Sequence, residues 1–289
     1  MHSNLAKQWQ DIALTAVAPA IWGSTYIVTT ELLPAGRPFT AALIRALPAG
    51  LILVLSTRTL PARADWPRLL VLSALNIGVF QALLFVAAYR LPGGLAAVLG
   101  AIQPLLVMAL AWLLAGQSPR RTTLWAAVAG VIGMAILLLS PRTIYDPIGI
   151  AAALVGAACM ATGTWLTRRW TLSLPVLPLT GWQLLLGGAM LAPLAGWAEA
   201  PLPTLSTSQY LAYAYLCLAG ALLAYVLWFR GIARLPTVAV SSLGLLSPIT
   251  AVVLGWLILA QTITGMAFAG LLTVLASITI VQWTAARRH

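Results

Sequence analysis

Residues 85–117 read FVAAYRLPGGLAAVLGAIQPLLVMALAWLLAGQ, and residues 229–261 read FRGIARLPTVAVSSLGLLSPITAVVLGWLILAQ. Aligned without a gap at a constant offset of 144, the two stretches share eleven identical residues out of 33. The identities include Arg90-Leu91-Pro92, Gly100, Pro104, Trp112 and Gln117. Chance explains some leucine matches in an apolar sequence, but not arginine, two prolines, glycine, tryptophan and glutamine in one register. The chain therefore contains an internal repeat.

The composition around this repeat is that of a membrane protein. Only 7% of the 289 residues are charged, 61% are hydrophobic, and the mean hydropathy is +0.97. Apolar runs near twenty residues long recur throughout, and a helix of that length crosses roughly 30 Å of hydrocarbon. The alternating pattern of a transmembrane β-barrel strand is absent. Because backbone groups in lipid must be paired within their own segment, the sequence predicts an all-α membrane protein.

The apolar runs predict ten transmembrane helices, numbered here as spans 1–10. They cover residues 11–30, 38–57, 67–88, 92–115, 121–140, 147–169, 178–198, 207–233, 236–259 and 263–285. The repeat divides them into an N-terminal five-helix unit at 1–145 and a C-terminal five-helix unit at 146–289. Since five is odd, the second unit enters the membrane in the opposite direction from the first.

The basic residues orient this chain in the membrane. With the N-terminus in the cytoplasm, twelve Lys and Arg residues fall on the inner side, three fall on the outer side, and Arg45 lies within a span. This positive-inside bias predicts that both termini are cytoplasmic. The net charge of +11 is explained by topology beside an anionic membrane surface, since no basic stretch is interleaved with aromatic residues. We therefore expect the lipid bilayer as a partner and no nucleic acid.

Inverted repeats of this kind are a hallmark of secondary transporters. Two halves of similar fold and opposite direction can exchange roles, which gives outward-open and inward-open states of similar energy. Channels also use inverted repeats, and a duplication can be retained for stability alone. The repeat therefore supports transport more strongly than it supports a carrier over a channel.

Several motifs occur in a fixed order along the two halves. They are Trp22-Gly23-Ser24 in span 1, Arg45 in span 2, and the Leu-Pro turns that begin spans 4 and 9, with Pro104 and Pro248 about twelve residues later. With the two five-helix halves, this order resembles the EamA type of the drug/metabolite transporter superfamily over nearly the whole chain. Gln117 and Gln261 stand where that family often has glutamate, so no carboxylate role carries over to them.

Within that family, the chain most resembles bacterial exporters of aromatic and other amino acids. The resemblance implies export of a small-molecule substrate from the cytoplasm, through a central cavity between the halves, in a bacterial inner membrane. It implies no cofactor. A monomer is compatible with the sequence, which does not fix the oligomeric state.

Polar and aromatic residues within the spans are the candidates for substrate binding. Span 3 places Asn76, Phe80 and Gln81 near its middle, with Asn76 and Phe80 on one face. Gln103 and Ser247 stand beside prolines at equivalent repeat positions. Aromatic side chains give an apolar, stacking wall, although many tryptophans and tyrosines in membrane proteins are interface anchors. The predicted substrate-binding set is Trp22, Tyr26, Asn76, Phe80, Gln103, Trp165, Tyr225, Trp228 and Ser247.

Paired prolines near mid-membrane point to a binding site or a hinge. We predict hinges at Pro104 and Pro248 and at the Leu-Pro turns of Pro92 and Pro236. A packing kink is the alternative for each proline alone. The occurrence of both at corresponding positions favours function.

Charged groups within the spans are scarce. All five acidic residues lie at span ends or in loops, and the two histidines lie at the chain ends. With no buried acid to relay a proton or bind sodium, we predict a facilitator. Arg45 lies roughly 9 Å deep, at 1.5 Å per residue from the outer end of span 2. Snorkelling or pairing with helix-end carbonyls is the preferred interpretation of Arg45, and attraction of a substrate carboxylate is the alternative.

The alternatives to amino-acid export are an enzyme, a flippase and a multidrug exporter. An enzyme needs a nucleophile–base pair or metal ligands, and the sequence has no His-Glu-x-x-His, no Gly-x-Ser-x-Gly and no internal histidine. We therefore expect neither catalysis nor a metal site. A flippase for lipid or lipid-linked substrates and a multidrug exporter share the same fold logic and remain alternatives.

Overall fold

The structure is a computed structural model that describes residues 2–91, 93–138, 146–258 and 265–286. Within these ranges, the side chains at 2–6, 26, 30, 88–89, 93–96 and 286 lie outside the description. Ten helices of the described chain are long and apolar enough to cross a membrane. The predicted fold class, an all-α membrane protein with ten transmembrane helices in two inverted repeats, is confirmed.

Six spans are single helices and four are interrupted. The single helices are spans 1 (His2–Leu32), 2 (Pro38–Thr57), 5 (Arg121–Leu138), 6 (Pro147–Arg169), 7 (Val176–Ala198) and 10 (Gly265–Ala286). A short 3₁₀ turn, Arg63–Asp65, precedes span 3. Span 3 consists of Trp66–Ser73, Ala74–Gly78 and Val79–Arg90, and span 8 consists of Thr207–Cys217, Leu218–Leu223 and Ala224–Arg234. Span 4 consists of Gly93–Gly100 and Gln103–Ala115, and span 9 consists of Thr237–Leu243 and Leu246–Ile258.

The packing of the spans follows the repeat. Span 2 packs on span 7, span 4 on span 9 and span 5 on span 10, so three spans each contact their own counterpart. Span 1 packs on spans 8 and 9, and its counterpart, span 6, packs on spans 3 and 4. This is the arrangement that a two-fold axis between inverted halves produces. The division at residue 145 falls within 139–145, outside the described residues, and stays a prediction.

Glycines bring spans 2 and 7 into backbone contact. A Cβ added to Gly50 would lie 2.2 Å from the backbone nitrogen of Leu185, and one added to Gly188 would lie 2.8 Å from that of Leu47. Small residues allow this close approach in membranes, where helix association depends on van der Waals packing. The contact between spans 2 and 7 is therefore the seam along which the halves are joined most tightly.

The interruptions occur at matching places in the two halves. Spans 3 and 8 each contain a π-helical turn, Ala74–Gly78 and Leu218–Leu223, whose first residues are 144 positions apart. Spans 4 and 9 break at 101–102 and 244–245. The sequence did not predict the π-helical turns. Such turns are rare and occur frequently at functional sites.

The breaks in spans 4 and 9 explain where Pro104 and Pro248 lie. Each proline sits in the first turn of the second half-helix, where its missing N–H costs no helical hydrogen bond. Pro236 immediately precedes the helix Thr237–Leu243, and Pro92 lies outside the described residues. The helices are thus interrupted beside both prolines, and hinge motion at these points stays a prediction.

Candidate functional site

An aromatic cluster occupies the centre of the bundle. The ring centroid of Trp22 in span 1 lies 5.1 Å from that of Tyr225 and 5.2 Å from that of Trp228 in span 8. Phe229 stacks on Tyr225 at 5.9 Å. Residues 225, 228 and 229 are spaced by three and four, so they share one face of the helix. The sequence predicted the first three residues as binding residues and missed Phe229.

The carbonyl of Gly220 forms a polar edge beside this cluster. It accepts one hydrogen bond from Trp22 Nε1 and another from Arg45 Nη2, each 3.0 Å long. Gly220 lies within the π-helical turn Leu218–Leu223, and a Cβ at this position would lie 3.7 Å from Arg45 Nε. The turn therefore joins spans 1, 2 and 8 through one backbone oxygen.

Arg45 is directed into the bundle. Its residue is 8% exposed, and its guanidinium carbon lies 6.0 Å from the ring centroid of Tyr225. Snorkelling does not describe this side chain, because it is buried and bonded at mid-span. Pairing with a carbonyl does occur, although the carbonyl belongs to a π-helical turn rather than to a helix end.

One hydrogen bond joins equivalent positions of the two halves. Gln81 Nε2 donates to the Tyr225 hydroxyl at 2.8 Å, and the two residues are 144 positions apart. Two equivalent residues can touch only where they lie close to the axis that relates them. Tyr225 therefore marks the centre of the molecule, between the inverted halves.

Spans 4 and 9 reach the cluster at their breaks. A Cβ added to Gly244 would lie 3.8 Å from Trp228 Cη2 and 3.9 Å from Gln103 Oε1. Trp228 Nε1 and Gln103 Nε2 are both buried, and neither has an acceptor within the described part of the chain. An unpaired buried donor is costly, so these two N–H groups are available for an acceptor on a ligand.

The structure places the other predicted residues apart from the aromatic rings or at their margin. The amide nitrogen of Asn76 donates to Gln183 Oε1 at 2.7 Å and to Thr167 Oγ1 at 3.1 Å, which ties together spans 3, 6 and 7. Phe80 is half-buried against the core that contains the cluster. Trp165 is buried, and the centroid of its ring lies 5.3 Å from the guanidinium carbon of Arg169.

Ser247 and Tyr26 are the remaining two residues of the predicted set. The carbonyl of Ser247 lies where span 9 approaches span 1, at 2.4 Å from a Cβ added to Gly23. The side chain of Tyr26 lies outside the described residues. For all nine residues of the predicted set, contact with a substrate stays a prediction.

An arginine–aspartate ion pair lies at each end of the bundle. On the side of the chain termini, Asp11 in span 1 pairs with Arg234 at 3.4 Å and with Arg230 at 2.6 Å. On the opposite side, Asp146 at the start of span 6 pairs with Arg90 at 3.4 Å. Arg90 and Arg234 are equivalent in the repeat. We call Asp11–Arg234 the terminal mouth pair and Arg90–Asp146 the distal mouth pair.

A cavity of about 300 Å³ lies at the distal side, beside the distal mouth pair. Phe39, Phe85, Arg90 and Glu199 are among its lining residues. The aromatic cluster lies deeper, and Tyr225 and Trp228 are each only 1% exposed. In this conformation both mouth pairs are formed, Tyr225 and Trp228 are buried, and Trp22 is partly exposed.

Comparison with known proteins assigns the chain to a family. The sequence profile of the EamA-like transporter family matches twice, over residues 10–139 and 147–283. Protein PecM of Dickeya dadantii (strain 3937) is 46% identical over 268 residues, which cover 92% of this chain and 90% of that protein. The two profile matches correspond to the two five-span halves.

More distant relatives and a solved structure extend the comparison. The uncharacterized inner membrane transporter YedA of Escherichia coli (strain K12) is 27% identical, over 90% of this chain and 87% of that protein. A probable amino-acid metabolite efflux pump of Salmonella typhimurium is 24% identical, over 94% of both chains. A crystal structure matches with a TM-score of 0.81 and 19% identity, covering 97% of this chain and 99% of its own. The chain is a multi-pass membrane protein that belongs to the EamA-like transporter family.

Proposed function

We propose that this protein exports small organic metabolites from the cytoplasm by alternating access, and that its substrates are amino acids, including aromatic ones. The aromatic cluster carries the proposal. Trp22, Tyr225 and Trp228 lie where the inverted halves meet, and polar groups of both halves border them. Aromatic faces with a few fixed hydrogen-bonding groups suit a ligand that has a ring and a polar end.

The mouth pairs support alternating access. A repeat-equivalent arginine bonds an aspartate at each end of the bundle, so opening one end while the other stays closed exchanges the roles of the two halves. Exposed ion pairs are individually weak, which makes them suitable as contacts that break in each cycle. The interrupted spans 3, 4, 8 and 9 would bend as the mouths open.

The cellular setting of the proposal rests on charge and on names of relatives. The positive-inside count places both termini in the cytoplasm. One relative is named as an inner membrane transporter and another as a probable amino-acid metabolite efflux pump. We therefore place the protein in a bacterial inner membrane, with its distal side facing outward.

Purified protein in liposomes tests the proposed substrates. We expect saturable exchange of labelled phenylalanine and tryptophan, with each amino acid competing for transport of the other, because both would stack on the same aromatic cluster. Liposomes that contain the doubly substituted variant W22A/Y225A, expected to lose most of this exchange, serve as the control. Non-saturating flux would indicate a channel. Movement of labelled lipids alone would favour a flippase, and transport of cationic drugs alone a multidrug exporter.

Energy coupling is tested in the same liposomes. We expect a pH gradient to produce no accumulation of labelled phenylalanine above its equilibrium level, because the acidic residues lie away from the middle of the spans. Asp11 is ion-paired on the side of the chain termini, Asp146 caps the start of span 6, and Glu199 follows the end of span 7. A sodium gradient is the second condition. Robust uphill accumulation driven by protons, measured against liposomes that are fully permeable to protons, would contradict the facilitator mechanism.

A further inference from the structure

Arg45 places a positive charge beside the aromatic cluster of the candidate site. Its residue is 8% exposed, it lies in the interior of span 2, and one of its nitrogens donates to Gly220 in span 8. A charged side chain within a membrane span is expensive and is rarely retained without a function. Through that bond Arg45 joins span 2 to the π-helical turn of span 8, to which Trp22 Nε1 also donates.

The neighbouring groups of the site are rich in hydrogen-bond donors. Trp228 Nε1 and Gln103 Nε2 are buried without an acceptor in the described residues, and Gln81 Oε1 beside Tyr225 is a buried acceptor without a donor there. The Arg45 guanidinium, one nitrogen of which donates to Gly220, adds a positive charge and accepts no hydrogen bond. Because these groups offer more hydrogen-bond donors than acceptors and carry a positive charge, they fit a ligand that brings acceptors and negative charge.

We propose that Arg45 binds the carboxylate of the transported substrate and thereby selects carboxylate-bearing metabolites over amines and cationic drugs. This inference rests on the proposed function and names the substrate group that the site recognises. A guanidinium matches a carboxylate through two parallel hydrogen bonds, whereas an amine offers it no acceptor. Because the guanidinium carbon lies 6.0 Å from the ring of Tyr225, a carboxylate on Arg45 leaves the rest of the substrate beside the aromatic cluster.

The same charge disfavours cations. At the low effective dielectric of a buried site, two like charges a few ångströms apart repel each other far more than in water. A substrate whose only charge is positive therefore meets repulsion at the position where a carboxylate is attracted. Charge at Arg45 therefore favours binding of amino acids and organic acids over binding of the cationic substrates of a multidrug exporter.

Competition in proteoliposomes tests the inference. The probes are phenylalanine, its neutral-ended relative phenylalaninamide, 3-phenylpropionate and phenethylamine, each competing with exchange of labelled phenylalanine and each also tested in labelled form. In the native protein we expect the two carboxylates to bind at least about tenfold more tightly than the amide and the amine, from the usual strength of a hydrogen bond to a charged group. In Arg45→Gln this preference should disappear, with phenethylamine binding unchanged or improved. Arg45→Lys should keep part of it.

Arg63→Gln is the matched control, because Arg63 is an exposed arginine before span 3. It should keep the native preference. If Arg45→Gln does not fold, the comparison of native protein with Arg45→Lys decides. Saturable transport with equal affinity for carboxylate and amine probes would overturn the inference and leave the transporter function standing. Absence of saturable transport for every probe would overturn both.

Discussion

Replacing Gly50 with valine is expected to prevent the two halves from packing together. A Cβ at this position would lie 2.2 Å from the backbone nitrogen of Leu185 and 2.7 Å from its Cα. These are backbone atoms, which cannot rotate away as a flexible side chain could. Overpacking a core usually costs about 1–3 kcal/mol, and the upper end or more applies when backbone must move. We expect little or no monodisperse protein on size exclusion and a melting temperature far below that of the native protein.

Gly196→Val provides the matched control for this experiment. Gly196 also lies in span 7, but a Cβ added there meets nothing within 4 Å in the described structure. The same substitution should therefore leave yield and melting temperature close to native. Equal melting temperatures for Gly50→Val and the native protein would mean that spans 2 and 7 are not in backbone contact at Gly50.

The ten spans and their inverted repeat could be predicted because both can be read directly from the order of residues. Span length follows from the apolar runs, and the offset of 144 can be read by alignment of the sequence with itself. The breaks in spans 4 and 9 occur beside Pro104 and Pro248, which the sequence marks. Three members of the aromatic cluster were predicted as well, since large aromatic residues within a span stand out.

The contacts of the candidate site could not be predicted in the same way. The π-helical turns at Ala74–Gly78 and Leu218–Leu223 change which faces of spans 3 and 8 point inward, and no residue type marks them. The role of the Gly220 carbonyl is invisible because a backbone atom leaves no sequence pattern. Asn76 was grouped with Phe80 by helical spacing, yet it bonds to Gln183 and Thr167.

Some missed features did have a usable signal. The pairing of Gln81 with Tyr225 follows once the offset of 144 is applied to polar residues in the middle of spans 3 and 8. Span 2 has small residues four apart along one face, and this pattern predicts close helix packing. They are Ala42, Ala46 and Gly50. Sequence alone does not say which partner span such a face contacts.

Cross-linking either mouth is expected to reduce transport strongly while leaving the protein folded. Cys159 and Cys217 are first replaced by serine, because they are the free thiols of the described chain. One variant carries R90C with D146C at the distal mouth, and the other carries D11C with R234C at the terminal mouth. A short, reducible bifunctional thiol reagent then joins each pair. Exchange of labelled phenylalanine should fall at least about tenfold, because a locked mouth removes one of the two states that must interconvert.

The unlinked variants are the controls for this experiment. The unlinked distal variant lacks one exposed ion pair and should keep most of its exchange activity, since exposed ion pairs contribute little stability. The unlinked terminal variant loses both ion pairs of Asp11, including the partly buried one with Arg230, so its exchange before linking is the reference for the linked form. Reduction of the linker should restore transport. A cross-link between two exposed positions of one rigid span, such as R121C with W125C, should have no effect, because it does not join two moving parts.

The most direct test of alternating access is the reactivity of one mouth when the other is locked. With the distal mouth linked, a single added cysteine at Leu235, which is buried beside Arg234, is labelled by a water-soluble thiol reagent. Alternating access predicts that locking the distal mouth speeds this labelling, and that locking the terminal mouth speeds labelling of a cysteine at the equivalent buried residue, Leu91. Unchanged labelling rates at both free mouths, or full exchange activity with either mouth linked, would contradict it.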